Sequence, residues 1–250
     1  MAALLHQQPL MSNLIKAVLF DVDGTLVNSN DAHAQAWVSA FAEFGMAVEF
    51  ARVRRCIGMG GDKLMPEVSG LEEDSPLGER IAKRRGEIFT TQLLPAIQPF
   101  KDAAGLVAAV KDLGLTAVAA SSAKKDELKA LLEIAGADAL MNAATSSDDA
   151  EESKPDPDII QAALKRARAS AADAIMIGDT PYDVEAARRA GVASLAFRCG
   201  GWSDADLSGA IAIYDGPWDL LQRLEQSPLC RAHRDSPTGH KESGKTAAAP

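Results

Sequence analysis

An α/β domain built on a mostly parallel sheet, interrupted after its first strand by an all-helical insertion, is the fold that three features of the sequence predict. Strands alternate with helices of about ten to fifteen residues from residue 100 onward, the pattern of a parallel sheet covered on both faces. Between 28 and 95 no convincing strand occurs, and apolar residues recur at helical spacing. The stretch "AVLF", 17–20, is a continuous apolar run that ends on two acids, Asp21 and Asp23, as expected of a covered strand whose end opens onto a site.

The first strand is expected over 14–21. After the turn "DGTLVNS", His33, Trp37, Phe41 and Phe44 mark the buried stripe of a helix that ends near Gly45. Helical patterns follow at 50–57, 60–68 and 77–93, the last closed by Pro95. A helix at 101–112 ends at Gly114, the strand "LTAVAAS" reaches Ser121, and a helix at 124–135 stops at Gly136. Next come a helix at 157–168, the strand "AIMIG" at 174–178 and a helix at 181–190 closed by Gly191. The strand "VASLAF" at 192–197, a short strand at 210–214 and a last helix at 217–225 complete the series. The insertion then occupies 28–96, with connections near 27–30 and 94–100, and the sheet domain comprises 15–27 and 97–227. The polar, small-residue tail 236–250 is expected to be disordered.

At 250 residues and 47% hydrophobic, the chain is long enough for a core domain with a smaller one attached. No run approaches the roughly 18 apolar residues of a membrane span. The opening "MAALLHQQPLMSNLIK" lacks the basic start and sustained apolar core of a secretory signal, so the expectation is a cytoplasmic protein with no membrane partner. Cys56, Cys199 and Cys230 are few, odd in number and scattered, against a disulfide framework or a zinc cluster. The net charge of -9 comes with no basic stripe for a nucleic-acid backbone. It leaves room for a small phosphorylated ligand, because a divalent cation and one or two local bases can reverse the field at a site. Monomer and homodimer are equally compatible with the sequence.

In an open parallel sheet, ligand-binding groups collect beyond the carboxyl ends of the strands. Four such positions here are polar: Asp21 and Asp23; Ser121; Lys154 in "ESKPDPD"; and Asp179 with Asp183 in "IMIGDTPYDVEAARRAG". A single Asp-Gly pair is most simply a turn or a helix cap, but the whole ordered set points to one site. Acids at i and i+2 on a regular strand would share one face at close range, so giving them separate surroundings requires the chain to leave strand geometry at Val22, and Gly24 permits that departure. The two carboxylates repel each other unless something positive stands near them.

The segments "FDVDGTLVNS", Ser121, "SKPDPD" and "GDTPYD" resemble the four motifs of the haloacid dehalogenase-like hydrolase superfamily. The insertion resembles the helical cap of that superfamily's phosphoglycolate phosphatase and beta-phosphoglucomutase-like branch, and the likeness covers roughly residues 15–225. The resemblance implies a Rossmann-like core under a helical cap, and a Mg2+-dependent phosphatase acting on a phosphorylated small-molecule metabolite. It implies that Asp21 is the nucleophile that forms an aspartyl-phosphate, and that Asp23 is the general acid and base, reaching the metal through its main-chain carbonyl. Asp179 is implied as the side-chain metal ligand beside Asp21, and Asp183 as a nearby acid acting on the metal site through water, with helix capping as its alternative. Ser121 is implied as a phosphate hydrogen-bond donor and Lys154 as the fixed cation, with Gly24, Thr25 and Ser122 as candidate substrate contacts.

An aspartate at position 23 favours phosphoester chemistry, since the dehalogenases and phosphonoacetaldehyde hydrolases of the superfamily lack one there. Within the cap, "RRCIGMGGDKLMPEV" at 54–68 reads as a substrate loop. Gly58, Gly60 and Gly61 allow close backbone approach, and Lys63 is expected to meet a substrate's carboxylate or distal phosphate, an ordinary surface lysine being the alternative. The family's sugar-phosphate mutases usually carry an arginine where this chain has Gly61, so a mutase stands behind the phosphatase reading, and a non-catalytic phosphometabolite-binding protein behind both. Arg188 and Arg189 read as the exposed, charge-favourable end of a helix.

Overall fold

The computed structural model describes residues 14–230, so the expectation for 236–250 lies outside the described residues. Among them, six strands form one parallel sheet: β1 Ala17–Phe20, β2 Thr116–Ala120, β3 Ala143–Thr145, β4 Ala174–Gly178, β5 Ala193–Phe197 and β6 Ala212–Tyr214. Their order, β3-β2-β1-β4-β5-β6, counts outward in both directions from the centre. Connections therefore diverge between β1 and β4 and leave a crevice at the carboxyl ends there. Phe20 pairs with Ala119 on one side and with Ile177 on the other. Asp21 consequently stands level with Ala120 and Gly178, one residue short of Ser121 and Asp179, and three strand ends present polar groups at one height.

Between β1 and β2 the chain forms α1 Asn30–Glu43, α2 Phe50–Cys56, α3 Gly61–Ser69 and α4 Pro76–Ile88. Ser75 starts α4 by accepting the Gly78 amide, with Pro76 at the first helical position where no donor is needed. The helix expected over 77–93 is α-helical only to Ile88 and loosens into wider and then tighter turns through Ala96, since Pro95 removes a donor from the ladder. Trp37 and Phe41 of α1 pack with Val53, Leu64, Ile81 and Phe89 in one apolar cluster that continues into the face of the sheet below.

The sheet is flanked by α5 Ala103–Asp112, α6 Lys125–Ile134, α7 Asp158–Ala167, α8 Pro181–Arg189 and α9 Pro217–Gln222. Successive β1 residues feed opposite cores. Val18 and Phe20 pack with Leu106, Val107 and Leu131, whereas Ala17 and Leu19 pack with Ile159, Ile160 and Ala187. Both faces being covered, the strand reads as an unbroken apolar run, and all four residues are 0% exposed. Truncating the fully buried Phe20 to alanine is worth roughly 3–5 kcal/mol, which makes the strand that carries Asp21 a rigid platform.

One element escapes the sequence pattern, which predicts no strand between 136 and 157. β3 lies there, three residues at the sheet edge, too short to display alternation. Side chains hold it: Thr145 Oγ1 donates to the Ala119 carbonyl at 2.9 Å, and Asn142 Oδ1 accepts the Ala117 amide at 3.0 Å. Among the described residues no helix is long and apolar enough to cross a membrane.

Candidate active site

Beyond Phe20 the chain leaves the sheet in a tight loop. The Asp21 amide makes one last ladder bond to the Ile177 carbonyl at 2.8 Å, after which the amides of Thr25, Leu26 and Val27 all turn back onto the Val22 carbonyl. Gly24 takes a positive φ of 77°, and a Cβ there would run into Asn30 and Asp179, so the loop depends on glycine for both conformation and space. The departure at Val22 sends the two acids into different environments.

Asp21 faces a lysine. Lys154, 1% exposed, sits with its Nζ 2.6 Å from Asp21 Oδ1, 2.7 Å from Asp183 Oδ1 and 3.0 Å from the Ala120 carbonyl, which commits all three of its donors. Thr25 Oγ1 lies 3.1 Å from Asp21 Oδ2 and 3.0 Å from Asp179 Oδ1, and Asn30 Nδ2 donates to Asp179 Oδ2 at 2.8 Å. Asp183 does two things at once. Its Oδ2 accepts from the Thr180 amide and hydroxyl, forming the capping box that starts α8, while Oδ1 meets the lysine.

Three buried carboxylates thus share one ammonium. Burial, with the charges of Asp183 and Asp23, outweighs Lys154 and pushes the Asp21 carboxyl up to about 7. Asp179 is raised well above the carboxylate range by burial and by Asp21 and Asp183. Burial opposes the Lys154 ammonium, but Asp183 and Asp21 prevail and hold it above its ordinary range. The surplus negative charge calls for a second cation. Carboxylate oxygens of Asp21, Asp179 and Asp183 all lie within 4.8 Å of one another, an all-oxygen donor set that suits a hard divalent ion such as Mg2+. Gly200 contributes to the cradle, for a Cβ on it would strike Asp179.

Asp23 belongs to a different network. Its Oδ1 accepts from Ser29 Oγ at 2.5 Å and from His33 Nε2 at 2.7 Å. The other imidazole nitrogen, Nδ1, lies 3.0 Å from Arg85 Nη2, and a guanidinium can only donate, so Nδ1 is the acceptor and Nε2 carries the proton. Arg85 also donates to Glu127 Oε2 at 2.9 Å, and His33 stacks on Phe89 with ring centroids 4.0 Å apart. Burial pushes the Asp23 carboxyl up, but His33, Ser29 and Arg85 together hold it below the usual carboxylate range. The sequence pattern assigns His33 only to the apolar stripe. Its spacing of four from Ser29, on the helix turn after the acids, is the signal that marks it; Arg85 and Glu127 carry none.

Asp21 and Asp23 line a cavity of about 190 Å³ closed over by the insertion, whose walls include Trp37, Ile57, Glu73, Arg85 and Glu127. Ser122 reaches it with a hydroxyl that has no partner, whereas Ser121 is 1% exposed and its Oγ accepts the Ala123 amide at 3.0 Å, shaping the loop. The glycines of 58–61 line the cavity, and Cβ atoms there would collide with Thr180 beside Asp179, with Ser153 beside Lys154, and with Glu73. Lys63 points elsewhere. Its ammonium pairs with Asp156 and donates to the Ser153 carbonyl at 2.9 Å, while the Gly60 amide donates to Ser153 Oγ at 3.1 Å. The cap loop is therefore bolted to the segment that carries Lys154. Arg188 and Arg189 pair with Glu185 on the exposed side of α8.

A family model described as haloacid dehalogenase-like hydrolase matches residues 18–197. A phosphoglycolate phosphatase from Rhodospirillum rubrum is 30% identical over 210 residues, 80% of this chain and 87% of that protein. An N-acetylmuramic acid 6-phosphate phosphatase from Pseudomonas aeruginosa is 26% identical over 220 residues, 86% of this chain and 97% of that protein. The crystal structure of a hydrolase from Pseudomonas syringae superposes with a TM-score of 0.79 at 27% identity, covering 84% of this chain and 98% of that one.

Proposed function

Since the chain belongs to the haloacid dehalogenase-like hydrolases, we propose that it is a Mg2+-dependent phosphatase that cleaves a small-molecule phosphate monoester through an aspartyl-phosphate on Asp21. The observation that carries this reading is the pairing of two differently treated acids at one cavity: Asp21 held by Lys154 and Thr25, Asp23 held by His33 and Ser29. The phosphatase relatives support phosphoester chemistry, and we place the reaction in the cytoplasm on a phosphorylated metabolite.

Asp21 attacks phosphorus through the carboxylate that the lysine keeps oriented, and the bond from phosphorus to the leaving oxygen breaks. Asp23 has Oδ1 committed, so Oδ2 is left to do the proton transfer: approach of the anionic phosphate ester favours its protonated form, which gives the proton to the leaving oxygen, and the carboxylate so formed then takes one from the water that opens the acyl phosphate. Asp21 and Asp179 would hold Mg2+, with Asp23 adding its main-chain carbonyl and Asp183 acting through water; the bound ion would supply positive charge that stabilises the transferring phosphoryl group. Lys154 adds a fixed charge, and the unpartnered Ser122 hydroxyl is free to donate to a phosphate oxygen, with Thr25 beside it. The cavity under the cap keeps bulk water from the acyl phosphate.

Release of phosphate from p-nitrophenyl phosphate tests the reading. Turnover should require Mg2+, stop on chelation, and be abolished in folded Asp21→Asn, whose amide is nearly isosteric but no anion. Turnover by Asp21→Asn above about a tenth of wild type would refute Asp21 as nucleophile.

A further inference from the structure

We infer that the alcohol released from the substrate carries hydrogen-bond donors and no negative charge: a hydroxylated or amino-bearing alcohol, not an acid or a second phosphate. This rests on the phosphatase reading and concerns the part of the cavity away from phosphorus.

Three observations carry it. Besides Asp21 and Asp23, the cavity wall presents Asp62, Glu73 and Glu127. Glu73 lies against the backbone of Gly61, within the glycine loop that closes the cavity. Glu127 is 7% exposed, and its Oε1 has no hydrogen-bond partner; His33 Nδ1, 4.0 Å away, is itself an acceptor. A buried acceptor without a donor is costly, and a substrate hydroxyl or ammonium is the group that satisfies it.

Most of the cations near the cavity already face acids of the protein itself. Among the described residues only Arg85 and Lys124 are lysines or arginines of this wall. Arg85 spends Nη1 on Glu127 and Nη2 on His33, and only its Nε is without a partner. Lys124 is near enough to Glu73 of the same wall for its charge to act on that carboxyl. Lys63 is held by Asp156, Arg54 by Asp31 and the Gly200 carbonyl, and Arg55 by Asp206 over the face of Trp202. A wider bay that shares Asp62, Glu73, Glu127, Arg85 and Lys124 with the cavity adds Glu72, Asp74, Glu79, Glu151 and Glu152 against Lys63 and Lys83, so the approach carries an excess of negative charge. A cleft with an excess of one sign of charge concentrates ligands of the other sign and disfavours its own.

A matched set of six-carbon esters provides the test: glucosamine 6-phosphate, glucose 6-phosphate and 6-phosphogluconate, with p-nitrophenyl phosphate as the common reference. The amine and the neutral sugar should exceed the acid in kcat/KM by about tenfold to a hundredfold. Glu73→Gln, and separately Asp62→Asn in case the first does not fold, should narrow that gap at least about threefold, and added salt should narrow it further because the bay is exposed. Equal or better use of 6-phosphogluconate, or a gap unchanged in both folded variants, would overturn the inference while leaving the phosphatase reading intact. No turnover on any ester, p-nitrophenyl phosphate included, would overturn the phosphatase reading and the inference with it.

Discussion

Lys154→Met keeps most of the lysine's length and apolar stem and removes its charge. In the native protein that charge lies within 2.7 Å of carboxylate oxygens on both Asp21 and Asp183, at 1% exposure. Its removal leaves a buried cluster of carboxylates, Asp179 included, with no cation in it. Breaking a buried ion pair from one side costs about 3–5 kcal/mol, which lowers the melting temperature of a protein this size by about 6–20 °C.

The loss depends on pH in a predictable sense. Asp21 already has its carboxyl raised from 3.8 to about 7 by burial, in spite of Lys154. A raised acid means that the native metal-free protein keeps a proton which the unfolded chain has lost, so stability contributed by this group is full below about pH 4 and is lost as pH rises to about 7. Without Lys154 the preference for the proton grows, and the decline extends to higher pH. Urea unfolding of both proteins in chelator should therefore differ by about 3–5 kcal/mol at pH 8. At pH 5, where protons neutralise Asp21 and Asp179, the difference should be smaller than at pH 8. Millimolar Mg2+ should return part of the difference at pH 8. Equal stability of the two proteins at pH 8 in chelator would refute the account of Lys154 as the charge that lets these acids coexist.

Three further outcomes are expected. Asp179→Asn should raise the Mg2+ concentration for half-maximal activity by at least about tenfold, read from a metal titration of initial rates; an unchanged midpoint would remove Asp179 from the metal site. Lys63→Met breaks a partly exposed ion pair and a bond to the Ser153 carbonyl, together about 1–2 kcal/mol, so kcat/KM should fall about fivefold to thirtyfold alike on p-nitrophenyl phosphate and on a sugar phosphate. A loss confined to one substrate class would mean that Lys63 reads the substrate after all. His33→Phe keeps the stack on Phe89 but removes a hydrogen bond that favours the ionised Asp23 carboxylate, so the basic limb of the pH–kcat/KM profile should move up by about one unit as Asp23 keeps its proton to higher pH. An unmoved limb would separate His33 from the proton transfer.

Residues that do chemistry because of where they sit in their own segment are legible in the sequence. Asp21 after an apolar run, Asp179 after "AIMIG" and Gly24 at a forced turn all declare themselves locally, since strand ends and turns are decided within a few residues. The polar groups after β1, β2 and β4 predict one site because parallel strands put them on one edge, and the register from Phe20 to Ala119 and Ile177 delivers them at nearly one height, while Lys154 reaches them from the loop beyond β3. The alternation of strands and helices was enough for the sheet, apart from β3, whose three residues are held by the side chains of Asn142 and Thr145 and show no alternation.

Tertiary structure alone decided the assignments that depend on which charge meets which. Lys63 reads as a substrate contact from its glycine-rich loop, yet its partner Asp156 lies 93 residues away. His33 looks like one more member of an apolar stripe until Asp23 and Arg85, the latter 52 residues on, take its two nitrogens; Arg85 then reaches Glu127 after another 42. Local sequence marks the acids at the strand ends, because backbone geometry at a strand end is set by neighbouring residues. What the site excludes and how it closes depend on ion pairs across long loops, and those form only once the insertion has folded down onto the sheet, with no periodicity in the chain to announce them.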